Sequence, residues 1–405
     1  MTSIVKWTSI SNTPSTSANI KMDLLPYCNL NETKQLDYSS KDPLNREPSA
    51  KDLIEQFLTP QDLSYDRNHS QIPHLRSEEH QVRIDGLVAN SLSLSPDQLR
   101  TEFPQHEVTS ALECAGNRRL AMRTLLREVE GIDWGDAAVM NCKWKGPRVR
   151  DVLLRAGLRG AATDPNREMH VAFACYQVKC QEDDWFGASV TLERCMREDG
   201  DAILALEVND SPLTANHGAP VRVVLPGIVG ARWVKWLDRI TVQEQESPNF
   251  YQQRDYKVLP PEAVDHASAE KYWRTASPMY DTPINSIVAV PGDDETVSLP
   301  DSGVVEVKGY AVPQGDQGPI TNVEVSGDGG KSWVEAELSG LSREQKWCWV
   351  LWTARVGMSL GLGREIWSRA SDAGGNTQHE HSPWNLRGVG YNGYGRTRNI
   401  KVVQG

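Results

Sequence analysis

The run Leu112-Glu113-Cys114-Ala115-Gly116-Asn117-Arg118-Arg119 presents a thiol where a strand pattern ends, a turn of small residues follows and a helical pattern begins. Amides at a helix start, with Arg118 and Arg119 beside them, would stabilise the thiolate, the form that binds soft metals or attacks as a nucleophile. On spacing alone a buried structural cysteine is about twice as frequent a reading, so both stay open at this point. Two further segments, His217-Gly218-Ala219-Pro220-Val221-Arg222 and Gly230-Ala231-Arg232-Trp233-Val234-Lys235-Trp236, combine glycine turns with Arg and Lys. Turn amides and cationic side chains together make an anion site. Tyr256, in Arg254-Asp255-Tyr256-Lys257, is either a hydrogen-bond donor to a bound oxygen or a half-buried tyrosine with one wet end. The textual match Gly388-x-Gly390-x-x-Gly393 to a dinucleotide fingerprint lacks the helix and strand it would need and reads as a glycine-rich loop. Cys175-x4-Cys180 has no second pair to complete a zinc site and reads as structural.

The CAGNRR run resembles the molybdenum-ligand loop of the sulfite oxidase family, and the likeness extends over roughly residues 50 to 405, with several separated motifs in the same order. The resemblance implies Cys114 as the protein's ligand to the metal of a molybdenum-molybdopterin cofactor, and implies neither haem nor flavin. Tyr65-Asp66-Arg67-Asn68-His69 is similar to a segment whose arginine faces the substrate and whose histidine contacts the pterin. By the same resemblance His217, Arg222, Trp233, Val234 and Lys235 cradle the pterin and its phosphate, and Trp134 belongs to the pocket wall. Trp233 stands where a small residue is common, and Gln177 where an aspartate contact to the pterin is expected. Tyr256 resembles the active-site tyrosine. Pro383-Trp384-Asn385-Leu386-Arg387-Gly388 resembles the last strand of the β-sandwich, returning Arg387 to the pocket. Arg67, Arg119 and Arg387 would then bracket a small oxyanion, since guanidinium forks suit sulfite and sulfate.

The implied reaction is oxidation of sulfite to sulfate with two-electron reduction of Mo(VI), followed by reoxidation by dioxygen or a separate acceptor. Within enzymes the alternative is the molybdenum domain of a nitrate reductase, whose relatives usually carry methionine at the position of Arg387 and continue into haem and flavin modules. Outside enzymes the alternative is a molybdopterin-binding or storage protein, for which the arginine set and Tyr256 would have no use.

The elements that must position these residues are legible in outline. Leu53, Ile54, Phe57 and Leu58 give helical spacing over 52–58; Gln81–Leu94 alternates around Gly86; Glu107–Glu113 reads as a strand and 118–129 as a helix. Ala219–Leu225 and Trp233–Val242 are β-branched runs around a glycine turn. From about Pro260 helical patterns give way to short strands over 304–311, 322–326, 332–338, 347–353 and 366–372, a spacing that suits a β-sandwich. The expected fold class is α+β: a mixed molybdopterin-binding catalytic domain at 46–257, a Pro-rich connection at 258–284 and an immunoglobulin-like β-sandwich dimerisation domain at 285–405. A mobile tail at 1–45 precedes them.

Composition bounds the partners. A formal charge of -11 (43 Lys and Arg against 54 Asp and Glu) argues against a nucleic-acid surface, so any anion site is local. No apolar run reaches the ~20 residues that span a bilayer. Seven scattered cysteines without a CxxC pair suit a reducing compartment. A soluble intracellular protein is expected, mitochondrial or cytoplasmic, since the Ser- and Thr-rich start lacks arginine and the C-terminus is not a peroxisomal address; the family resemblance implies a homodimer.

Overall fold

A computed structural model describes residues 43–164, 166–339 and 345–405, with the short strand Cys28–Asn29. Most of the tail expected over 1–45 lies outside the described residues. Its end does not behave as a tail: Asn45–Glu47 pairs with Asp66–Arg67, and Leu44 and Asn45 hydrogen-bond Asn68 and Arg67.

The first half is built on two sheets. One orders its strands as Leu92–Leu94, Val82–Gly86, Arg239–Gln243, His170–Cys175, Phe186–Thr191, with a parallel pairing only between the second and third. The other centres on the long pair Gln105–Glu113 and Val139–Pro147, extended by Glu207–Val208 and Ser211–Pro212. Val82, Ile84, Trp144, Phe173, Val223, Trp233 and Ile240 fill the core between these elements. The expected strand over 107–113 is present, two residues longer, and the expected helix over 118–129 closes early as Arg119–Leu125. The helical spacing over 52–58 yields only Ala50–Leu53, capped by the Ser49 hydroxyl, and of the run 233–242 only Arg239–Gln243 is strand.

The second half packs a four-stranded sheet (Asn285–Val290, Val304–Val312, Val350–Gly357, Glu337–Leu338) against a five-stranded one (Thr296–Leu299, Gly395–Gln404, Gly361–Asp372, Ile320–Ser326, Val334–Glu335). Val307, Val323, Val325, Val350, Ile366 and Ile400 form its core, as expected of an immunoglobulin-like sandwich. Two expectations need correction. A short helix, His266–Ala269, follows Pro260, capped by Asp265, where none was expected. Pro383–Gly388 is a turn and not the last strand: the Asn385 side chain bonds both backbone groups of Val389, bending the chain back on itself, and the last strand is Gly395–Gln404.

The halves share buried surface. Leu53, Ala111 and Val139 pack with Ile287, Tyr310 and Trp349, and Ala115 and Tyr256 pack with Met279 and Val389. Loops of the second half therefore stand directly behind the cysteine turn.

Candidate active site

Cys114 follows the last residue of its strand, with its amide bonded to the Ala138 carbonyl, so the pairing that ends at Glu113 and Val139 holds it in register. The turn then closes through Asn117 N–H to the Cys114 carbonyl and Arg119 N–H to that of Gly116. Asn117 ties the turn to Glu113, Ala138 and Tyr310. Arg118 takes the left-handed conformation (φ 64°) and turns away from the thiol, donating to Asn285 and to the carbonyls of Gly393 and Tyr394. It anchors the turn to the second half and does not act as a counter-ion to Cys114. Arg119 and Arg67 do: burial raises the Cys114 pKa, and these two guanidiniums oppose the rise. At Cys142 and Cys195, burial alone dominates and pushes the thiols up to about 12.

Cys114 opens on a cavity that reaches solvent. Tyr65, Arg67, Asn68, His69, His217, Arg222, Trp233, Lys235 and Tyr256 all line it. Six expected site residues, Arg387 among them, are not in its lining. Gln177 is exposed, bonded to Asp238, and does not line the cavity; its neighbour Val178 does. Trp134 is fully buried behind Tyr65, ring centroids 6.3 Å apart, one layer back from the wall. Val234 is core and gives its carbonyl to Val223. Asp66 is buried behind the lining, held by Arg46 and Asn216. Arg119 lies in a slot beside the cavity where a Cβ at Gly131 (φ 117°) would come within 2.9 Å of its guanidinium carbon, so that glycine makes room for it.

Arg387 is the residue whose surroundings the sequence conceals most. Its guanidinium is gripped by Asp255 and by Glu130 at 2.9 Å. Burial works against its charge, but the two carboxylates outweigh burial and raise its pKa. Its backbone carbonyl accepts from Arg119 Nε at 3.2 Å, which couples the two arginines mechanically. Asp255 was legible as the carboxylate next to Tyr256; Glu130, 257 residues from its partner, was not.

At another part of the cavity no carboxylate bonds the cations directly, and only Asp66, behind the lining, offsets part of their charge. Lys235 Nζ is surrounded by the carbonyls of Arg67 and Asn216 and the Asn68 amide oxygen, and burial brings its pKa down to about 7. Arg222 bonds the carbonyls of His217 and Trp233, its Nε without a partner. His217 receives or gives one bond at Thr214, while its buried Nε2 has none, 3.5 Å from Asp66 being too poorly placed. Burial holds this imidazole neutral, with a pKa down to about 4. A Cβ at Gly218 (φ 104°) would come within 3.0 Å of the Lys235 side chain, so glycine lets the turn lie close to it. The described lining holds Arg67, Arg222 and Lys235 and no carboxylate. Orphaned donors and cations without a directly bonded carboxylate beside aromatic walls, with a soft thiolate donor in the same cavity, fit a phosphorylated pterin carrying a thiophilic metal.

The pattern of the oxidoreductase molybdopterin binding domain matches residues 69–251, and that of the Mo-co oxidoreductase dimerisation domain residues 276–402. A sulfite oxidase of Arabidopsis thaliana is 38% identical over 371 residues, covering 87% of this chain and 91% of that one. The chain belongs to the sulfite oxidase family. A nitrate reductase [NADH] of Hordeum vulgare is 36% identical over 363 residues, 87% of this chain but 39% of its own length. The crystal structure of the sulfane dehydrogenase SoxCD from Paracoccus pantotrophus superposes with a TM-score of 0.68 at 22% identity, covering 91% and 88% of the two chains, and shows the same fold. Family membership and the cavity chemistry agree on a molybdopterin site. No helix among the described residues is long and apolar enough to cross a membrane.

Proposed function

We propose that this protein oxidises sulfite to sulfate at the Cys114 cavity, as a homodimer paired through its second half. The observation that carries the reading is a thiol opening on a cavity lined by Arg67, Arg222 and Lys235 and by no carboxylate among the described residues. Molybdenum-molybdopterin bound there would supply the two-electron oxidation and the oxygen transfer. Cys114 would be the protein's ligand to it. Lys235, Arg222 and His217 hold its anionic end by charge-assisted hydrogen bonds, which are the strong ones. Arg67 and Arg119 orient the oxyanion, and Arg387 adds a third guanidinium when the anion competes with Asp255 and Glu130 for it. The phenol of Tyr256, kept protonated by burial, donates a hydrogen bond to substrate oxygen.

Arg387 favours sulfite over nitrate, because sulfite near neutrality is partly and its product sulfate fully a dianion, whereas nitrate is a monoanion. The test is anaerobic mixing of purified holoenzyme with sulfite, then addition of dioxygen or of cytochrome c. Sulfite should reduce the enzyme and yield sulfate, and one acceptor should restore it. Inertness toward sulfite with viologen-dependent nitrate reduction would overturn the reading. Light scattering at micromolar concentration should return a dimer mass.

A further inference from the structure

Resting on that reading, the geometry points to His69 as a positioning residue that sets the direction of the Tyr256 hydroxyl. Nδ1 of His69 lies 3.2 Å from an Arg67 NH2 group and Nε2 lies 2.7 Å from the Tyr256 hydroxyl oxygen. A guanidinium has donors only, so Nδ1 must accept. The ring proton then sits on Nε2 and is donated to the phenol oxygen, which leaves the phenol's own proton free to point into the cavity. The opposite tautomer would oppose two donors at Nδ1 and draw the phenol proton back onto Nε2, removing the donor that substrate needs. Arg67 thus acts on Tyr256 through the imidazole as well as on the anion directly.

The ring cannot easily leave this arrangement. Tyr251 lies 4.1 Å from it centroid to centroid, and Phe186 stacks at 5.7 Å and 21°. Asp255, the one carboxylate within 4.0 Å of Nε2 among the described residues, is 3.9 Å away and held by Arg387, so it does not compete for the ring proton. Burial and the cations Arg67, Arg387, Lys235 and Arg119 keep the imidazole neutral, as a relay with one donor and one acceptor requires. Tyr256 is itself pinned by its carbonyl, which accepts from Met279 N–H at 2.8 Å and from Arg232 at 3.1 Å. Among the described residues its hydroxyl has no other hydrogen-bond partner than His69.

A double-mutant cycle on the holoenzyme tests this. His69→Ala should lower kcat/KM for sulfite about 10-fold, the value of one oriented hydrogen bond. In a Tyr256→Phe background the same change should cost less than about 2-fold, because the group it orients is gone. Equilibrium binding of sulfate, measured by calorimetry, should weaken in the same non-additive way, which reads the contact without turnover. Molybdenum and pterin content should match wild type in all variants. If His69→Ala loses cofactor, His69→Gln and His69→Asn replace it: glutamine reaches the Nε2 position and should keep most activity, asparagine should not. Additive losses, or equal activity of the glutamine and asparagine variants, would overturn the proposal while leaving sulfite oxidation by wild type intact. A wild type that does not oxidise sulfite would remove the underlying reading instead.

Discussion

Around Lys235, Arg222 and His217, cations and an orphaned imidazole nitrogen face a cavity without a carboxylate, whereas Arg387 lies in the grip of Asp255 and Glu130. The first arrangement has no direct anionic partner until a permanent anion arrives; the second already has two carboxylates and can exchange one anionic partner for another. A resident cofactor suits the former and a substrate that must leave as sulfate suits the latter. Burial works against charge in both places; the net outcome differs because two carboxylates bond Arg387 directly, whereas Asp66 behind the lining offsets only part of the cost at Lys235 and His217.

The contrast can be broken most severely at the thiol that both regions serve. Cys114→Ser should fold and retain pterin but lose sulfite turnover to background, since a hard oxygen replaces a soft donor; near-normal turnover of the purified variant would sink the assignment. Next comes Arg387→Met, which should lower kcat/KM for sulfite by roughly 10- to 150-fold, mostly through KM. Removing the guanidinium also strands Asp255 and Glu130, so Arg387→Met with Asp255→Asn should recover part of the loss. An unchanged KM in the single variant would show that Arg387 never meets the substrate.

A smaller effect separates the empty cavity from the filled one. In cofactor-free protein Lys235 loses its proton near pH 7 in the folded state but only near 10.5 when unfolded, so between those values the unfolded chain holds the extra proton. Stability should therefore rise with pH across that window, by at most about 1.4 kcal/mol per unit. His217 adds a slope of the same sign between about pH 4 and 6.5. Holoprotein, with the ammonium paired, should show a flatter profile over pH 7 to 9 in denaturant melts; parallel profiles would mean that Lys235 does not meet the cofactor. Smallest of all, Gln177→Ala should change kcat/KM by less than about 2-fold, as its exposed side chain lies outside the cavity lining.

Local chemistry was the legible part. The strand before Cys114, the turn of small residues and the helix after it follow from β-branched alternation, glycine and helix formers, and the second half's strands follow from short runs at regular spacing. What escaped was set by distant partners. The family resemblance makes Pro383–Gly388 a strand, yet the Asn385 side chain turns it. Arg118 reads as a thiolate's neighbour, yet the carbonyls of Gly393 and Tyr394 claim it. Helical spacing past Leu53 gives way where Phe57 offers its carbonyl to Asn141 and Trp349. Val234, between the cavity residues Trp233 and Lys235, points into the core, which periodicity over so few residues does not resolve.

The central claim is that Cys114 supplies a sulfur to molybdenum in a cavity made for a resident anion. X-ray absorption at the molybdenum edge of oxidised holoprotein, compared with the Cys114→Ser variant, tests it directly. Wild type should show the dithiolene sulfurs plus one more, and the variant should lose that one sulfur scatterer while keeping its metal; identical sulfur shells in the two proteins would contradict the account.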